Sequence, residues 1–330
     1  MSETAHDPHQ RPLIAVATRS RKAVNQDAAA VACHPDLPLA GVVVADGLGS
    51  HFGADEAARI AVTTVTESIE SAHDTTSQWL LSAFAAARLE IERLVCDRSE
   101  TLPAELNLAE AFGTTLLCGM DMPDRLMVGY VGNGAIIHLR GDFLAFPPTQ
   151  LLPWNAVNYL NPHSRMVRGT NVLYKWLGPQ TTAAQSSPTV LEIAKDDSFV
   201  GDLLLVCSDG ISSLDQTPIG LDADKRMWIR ADRSVAMLYA HLKEFIAHEA
   251  LTSDALHVCL EHYLLDLDAA HLVGDDCTIG VVVTAAAVKG FESRRSAAEA
   301  LANEDHPRFE IVHHRPRSRV CQCADDRDRR

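Results

Sequence analysis

Three apolar runs in this sequence lead directly into an aspartate, and the carboxylates they deliver are its best candidates for chemistry. Val42-Val43-Val44-Ala45 leads to Asp46-Gly47, and Leu203 to Cys207 leads through Ser208 to Asp209-Gly210. Asp275 stands three residues before Thr278, at the mouth of an apolar run ending at Thr284. Each alone is also an ordinary turn, because Asp-Gly is a favoured turn dipeptide and an aspartate before a strand can simply close a loop. Together they carry more weight. Strand ends converging on one rim would gather three carboxylates, whose repulsion must be relieved by protons or cations. At neutral pH a metal is the simpler relief. The ligands are all oxygen, and no His or Cys stands in these turns at the spacing zinc prefers, which points to hard ions such as Mg²⁺ or Mn²⁺. Two such ions about 3.5–4 Å apart would acidify a shared water and clamp a phosphoryl oxygen.

The elements that must position these aspartates can be read from periodicity. Strands are expected at 13–18, 28–33 and 40–45, with a basic loop (Arg19, Ser20, Arg21, Lys22) after the first. Helices are expected at 54–72 and 76–96. Short strands follow at 112–120, 125–131, 135–140 and 143–146, punctuated by turn residues such as Gly132-Asn133-Gly134, and are expected to pair as an antiparallel meander. The stretch 147–187 is rich in proline and asparagine and reads as an irregular excursion. Strands at 190–194 and 202–207, helices at 233–250 and 253–268, and a last strand at 277–284 complete the pattern. Helices come in pairs instead of alternating with strands, which favours an α+β layered fold over a doubly wound parallel sheet.

Composition sets the outer limits. The 330 residues can bury a substantial core, and 47% apolar with 22% charged residues is the balance of a packed globular protein. A formal net charge of -15 argues against nucleic acid or an anionic membrane as partner. No run approaches the roughly 20 apolar residues that cross a bilayer. Residues 1–11 are polar, with His6, Asp7 and Pro8 where an export signal needs an apolar stretch, so a flexible N-terminus and a cytoplasmic location are expected. The eight cysteines are scattered, several within apolar runs, and read as free thiols in a reducing compartment. Beyond 288 the composition turns to arginine, histidine and acids, and 288–330 is expected to be a charged, mobile tail. His313-His314 and Cys321-Gln322-Cys323 in that tail match no closed zinc pattern.

From about 13 to 284 the chain also resembles the bacterial type 2C metal-dependent serine/threonine protein phosphatases, the PPM family. The resemblance rests on Lys22-Ala23-Val24-Asn25-Gln26-Asp27, Val44-Ala45-Asp46-Gly47-Leu48-Gly49-Ser50-His51-Phe52-Gly53 and Phe112-Gly113-Thr114-Thr115-Leu116. It continues in Val131-Gly132-Asn133-Gly134, Asn171-Val172-Leu173 with Leu177-Gly178, Leu205-Val206-Cys207-Ser208-Asp209-Gly210 and Asp275-Asp276-Cys277-Thr278. It implies a four-layer α-β-β-α sandwich with two mainly antiparallel sheets, in a phosphatase domain spanning 12–287. It also implies hydrolysis of phosphoserine and phosphothreonine in proteins by a water or hydroxide bridging two Mn²⁺ or Mg²⁺ ions. Asp46 would bridge both ions, Asp209 and Asp275 would complete the first site, and the Gly47 carbonyl would help hold the second. Asp27 would hold metal-bound water, with Gln26 beside it where the family often has glutamate. The implied partner is a phosphorylated protein, opposed to a serine/threonine kinase, and the chain is expected to act as a monomer.

The departures from the family pattern are as informative. Lys22 stands where an arginine usually grips the phosphate, and lysine supplies the charge without the planar fork; Arg19 or Arg21 could substitute. Asn133 replaces an aspartate that helps hold a third ion, so a third metal is expected to be weak or absent, although Asn-Gly is also a favoured hairpin turn. Leu48 stands where some members carry a proposed acid, leaving His51 as a candidate, although packing or a loop hydrogen bond is the better reading of it. In the 147–187 stretch, Trp154, Tyr159 and Arg165 are candidates for partner contacts, against plain packing. The departures at 22, 26, 48 and 133 support an alternative, a pseudophosphatase that binds a phosphoprotein or partner without turnover. A hydrolase of small phosphate esters is a third reading.

Overall fold

The apolar run that ends in Asp46 is a strand, Ala40–Asp46 (β3), buried along its length up to the aspartate. Val42 and Val44 face one way while Val43 and Ala45 face the other, the alternation of an extended chain buried on both sides. The computed structural model describes residues 11–140, 149–150, 164–167, 170–195, 201–211, 216–221, 227–248 and 250–303.

Two five-stranded sheets carry the fold. One runs Leu13–Arg19 (β1), Cys277–Val283 (β14), Asp202–Cys207 (β11), Ala135–Arg140 (β6) and Thr149–Gln150 (β7) in spatial order, and the other Thr189–Ala194 (β10), Arg125–Val131 (β5), Leu116–Asp121 (β4), β3 and Asp27–Cys33 (β2). Every pairing in them is antiparallel. The sheets pack face to face through Val42, Val44, Leu117, Ile136, Leu204 and Val282. Helices Ala54–Glu70 (α1) and Ser77–Asp97 (α2) cover the outer face of the second sheet, burying Phe84, Ile69 and Ile91. Asp232–His248 (α4) and Ser253–Ala269 (α5) cover the first, burying Phe245, Leu260 and Tyr263. The result is the four-layer α-β-β-α sandwich. α2 and α5 start where the sequence supplies a cap: Thr76 accepts from the Trp79 N–H and Thr252 from the Ala255 N–H. No helix among the described residues is long and apolar enough to cross a membrane.

Four expectations from the sequence are corrected. The meander stops after β5, because β6 leaves that sheet and pairs with β11 in the other. Gly132-Asn133-Gly134 is therefore a crossover and not a hairpin turn, with both glycines at positive φ, 103° and 121°. The strand expected from 112 begins at Leu116; Phe112 sits at φ 51° and Thr114 bridges Gly47 and Leu177. Within the 147–187 stretch, expected to be irregular, the described residues hold β7, an antiparallel pair Ser164–Val167 (β8) with Thr170–Leu173 (β9), and the turn of helix Ala183–Ser186 (α3). A reciprocal cap between Thr182 and Gln185 starts that turn. A second pair, Gln216–Leu221 (β12) with Met227–Ala231 (β13), had no clear signal. The strand expected at 143–146, the side chains of Trp154, Tyr159 and Arg165, and the tail motifs lie outside the described residues.

The fourth correction concerns the C-terminus. Residues 288–303 belong to a helix, Ala285–Asn303 (α6), whose Ala287, Val288 and Phe291 enter the core beneath α4 and α5. Arg295 ties it down by donating to the Phe245 carbonyl at 2.8 Å. Lys289 is exposed on this helix, and residues 304–330, with most of the charges that suggested a tail, lie outside the described residues. Phe291 is 1% exposed, so Phe291→Ala is expected to lower stability by about 3–5 kcal/mol in urea unfolding, where a solvated tail would give no change.

Candidate metal centre

Asp46 is delivered by β3, and its backbone is clasped from the neighbouring strand entry. Its N–H donates to Thr115 Oγ1 at 3.0 Å, and its carbonyl accepts from the Thr115 N–H at 2.8 Å and the Thr114 hydroxyl at 3.1 Å. The two threonines fix the height of this aspartate. The Gly47 N–H donates to the Gln26 carbonyl at 3.0 Å, tying the turn to the loop that carries Lys22.

Asp209 and Asp275 approach from the other sheet. β11 and β14 are antiparallel neighbours, so the turn leaving one lies against the turn entering the other. Gly210 makes that contact possible: a Cβ there would stand 1.8 Å from the Asp276 carbonyl oxygen. Ser208 locks the two turns together, donating to Asp27 Oδ2 at 2.8 Å and accepting from the Thr278 N–H at 2.9 Å.

Asp27, Asp46 and Asp209 form the crowded part of the site. Burial, then the charges of Asp209 and Asp27, hold the Asp46 carboxyl well above the usual aspartate range. Burial pushes Asp27 up to about 6, against the hydrogen bonds that favour its charged form. Asp209 is also raised, chiefly by burial and the Asp275 charge, with Asn133 and Lys22 opposing. Oδ1 of Asp27 is buried and makes no hydrogen bond. Two carboxyl groups can satisfy one another only through a proton or a cation, so this is a set of oxygens suited to a hard metal ion. The Gly47 carbonyl follows Asp46 directly on the same turn.

Asp275 takes a different posture. Its carboxylate is half exposed, and its Oδ1 accepts from Lys22 Nζ and from the Asp276 N–H at 2.7 Å. Asn133 Nδ2 donates to Asp209 Oδ2. Among the described residues no three His, Cys, Asp or Glu side chains are closed around one point.

The other predicted residues divide. Lys22 reaches the rim, bonding Gln26 Oε1 at 2.7 Å as well as Asp275. Burial lowers its pKa, but Asp275, Asp276 and Asp46 outweigh that and hold the ammonium charged. Arg19 and Arg21 are not brought to the rim: both bind Asp268 on α5, Arg19 through Nε at 3.0 Å. His51 packs edge-on against Trp176 with ring centroids 6.4 Å apart, and burial lowers its pKa.

Asp276 is the residue that sequence reading missed. Its Oδ1 accepts from the Arg21 N–H at 2.6 Å, the Lys22 N–H at 3.1 Å and the Ser20 hydroxyl at 3.1 Å, and its Oδ2 from the Gln26 N–H at 2.9 Å. Burial raises its pKa, yet those donors prevail and hold it ionised. It staples the Lys22 loop beside the aspartates. The adjacent acidic pair was visible, but nothing local told which carboxylate faced the rim.

Similar proteins share this arrangement of layers. Three solved structures superpose over most of the chain. The S. agalactiae serine/threonine phosphatase is 16% identical, covering 83% of this chain and 99% of its own, with a TM-score of 0.53. Stp1 from Staphylococcus aureus is 14% identical, covering 82% and 94%, with a TM-score of 0.54. The catalytic domain of PstP, described in complex with two manganese ions, is 18% identical, covering 83% and 99%, with a TM-score of 0.51. No curated protein matches the sequence. The sequence pattern of protein phosphatase 2C matches residues 16–251, most of the sandwich and two of its three rim aspartates, and the chain belongs to that family of protein serine/threonine phosphatases.

Proposed function

We propose that this phosphatase hydrolyses phosphoserine and phosphothreonine in proteins with two Mn²⁺ or Mg²⁺ ions held by Asp46, Asp209, Asp275 and the Gly47 carbonyl. The observation that carries the reading is the crowding of Asp27, Asp46 and Asp209, whose raised pKa values mark oxygens short of positive charge. The two manganese ions described for PstP support it. When bound, such ions polarise a phosphoryl oxygen and acidify water. The chain's own groups then orient and neutralise. Lys22 offers a point charge to the phosphate, and Asp27 offers its open Oδ1 to a water. Asp276 keeps the Lys22 loop in place.

The partner is a phosphorylated protein, the opposing enzyme a serine/threonine kinase, and the setting a monomer in the cytoplasm. A phosphoprotein-binding module without turnover is the second reading, favoured by the contacts of Asn133 with Asp209 and Lys22 with Asp275. The intact aspartates weigh against it.

Mn²⁺-dependent hydrolysis of a phosphothreonine peptide separates the two. Asp209→Asn is expected to lose at least about a hundredfold in kcat, the usual cost of removing one key electrostatic contact; a wild type no faster than this variant would leave the binding module. Stripping metal with EDTA should abolish turnover. Returning Mn²⁺ at about 100 times its Kd should raise stability by about 2.7 kcal/mol in thermal unfolding, an increment that Asp209→Asn largely loses. Titration should find two tight ions per chain, because Asn133 lacks the charge to hold a third; three tight ions would overturn that assignment.

A further inference from the structure

Lys22 is held at the rim by a backbone that is itself fixed. Asp276 accepts the N–H groups of Arg21, Lys22 and Gln26, so the loop cannot draw back without breaking several hydrogen bonds. The side chain, on its flexible four-carbon stem, can swing. Its ammonium has two acceptors: Gln26 Oε1, which is neutral, and Asp275 Oδ1, which is charged and already receives the Asp276 N–H. Gly49 closes the other side, where a Cβ would stand 3.3 Å from Lys22 Nζ. Arg19 and Arg21, tied to Asp268, are committed elsewhere.

We infer that Lys22 is a tethered counter-cation that competes with a divalent ion for Asp275 and releases that carboxylate when a phosphate monoester enters, coupling metal and phosphate binding through one side chain. This deepens the proposed function and rests on its metal reading. Whichever oxygen of Asp275 a divalent ion takes, the ammonium's like charge opposes it at the same rim. An ion that uses Oδ1 must also displace a donor, and the stem moves more readily than the stapled Asp276 backbone. A phosphate dianion supplies the way out. Its oxygens are stronger acceptors than one shared carboxylate oxygen, and the ammonium can transfer to them as a point charge, with no bidentate geometry to rebuild. Removing the ammonium from Asp275 lifts the opposition to the metal, so phosphate tightens metal binding and, reciprocally, metal tightens phosphate binding.

The test is calorimetric titration of Mn²⁺ into the EDTA-stripped full chain, with and without inorganic phosphate, for wild type, Lys22→Gln, Lys22→Arg, Asp275→Asn, the Lys22→Gln/Asp275→Asn double variant and Asp209→Asn. Without phosphate, Lys22→Gln should bind Mn²⁺ roughly two- to fivefold more tightly than wild type, the range for a partly exposed ion pair. Lys22→Arg, which keeps the charge, should stay near wild type. Phosphate should tighten Mn²⁺ binding more in wild type than in Lys22→Gln, and adding Lys22→Gln to Asp275→Asn should gain nothing further. Unchanged or weaker Mn²⁺ binding by Lys22→Gln, with wild type binding normally, overturns this inference alone. If wild type binds no Mn²⁺, or Asp209→Asn binds it equally well, the metal reading fails with it.

Discussion

Like charges buried side by side are what this architecture has to manage. Asp27, Asp46 and Asp209 come from β2, β3 and the turn after β11, and burial raises the pKa of each. Left to themselves these side chains would separate or take up protons. They stay together because the strands that deliver them are sealed into three apolar layers: one between the sheets and one beneath each helical pair. Each large side chain buried there contributes about 1.5–3 kcal/mol, so a handful outweighs the repulsion at the rim. The strain is concentrated where a cation can relieve it.

The backbone decides how tightly the carboxylates are held, and neighbouring residues play opposite parts. Asp275 keeps a half-exposed carboxylate at the rim, while Asp276 turns inward and saturates both oxygens with donors from the Lys22 loop. Ser208 does for the β11 turn what Thr114 and Thr115 do for the β3 turn: each joins an aspartate-bearing turn to a different strand. The rim is therefore one hydrogen-bonded unit spanning both sheets, and a change at Asp276 would be felt at Lys22, 254 residues upstream in the chain.

Much of this was legible in the sequence where a signal is local. The runs into Asp46 and Asp209 announced buried strands, and helix periodicity located α1, α2, α4 and α5 to within a few residues. What depends on distant partners was not. Asn133-Gly134 has the composition of a hairpin turn, and only the pairing of β6 with β11 makes it a crossover that aims Asn133 at Asp209. Arg19 and Arg21 looked as able as Lys22 to meet a phosphate; Asp268, some 250 positions away, settles which one reaches the rim. In α6 the charged face hid the short apolar one, Ala287, Val288 and Phe291, that docks the helix. The Thr182–Gln185 cap was readable and was overlooked among the prolines and asparagines around it.

Two of the departures from the family pattern, at 26 and 133, act in one direction. Glutamine at 26 and asparagine at 133 each put a neutral amide where the resemblance implies an acid, so the rim is less negative than that pattern would make it. Both amides are engaged: Gln26 accepts from Lys22, and Asn133 donates to Asp209, a contact that an aspartate at 133 would turn into repulsion. Under the proposed two-metal reading, the cost falls on any further cation, which would find one carboxylate missing and an oxygen of Asp209 already hydrogen-bonded. The same neutral amides relieve the crowding that the apolar layers must otherwise restrain, exchanging affinity for a third ion for a rim that holds its shape.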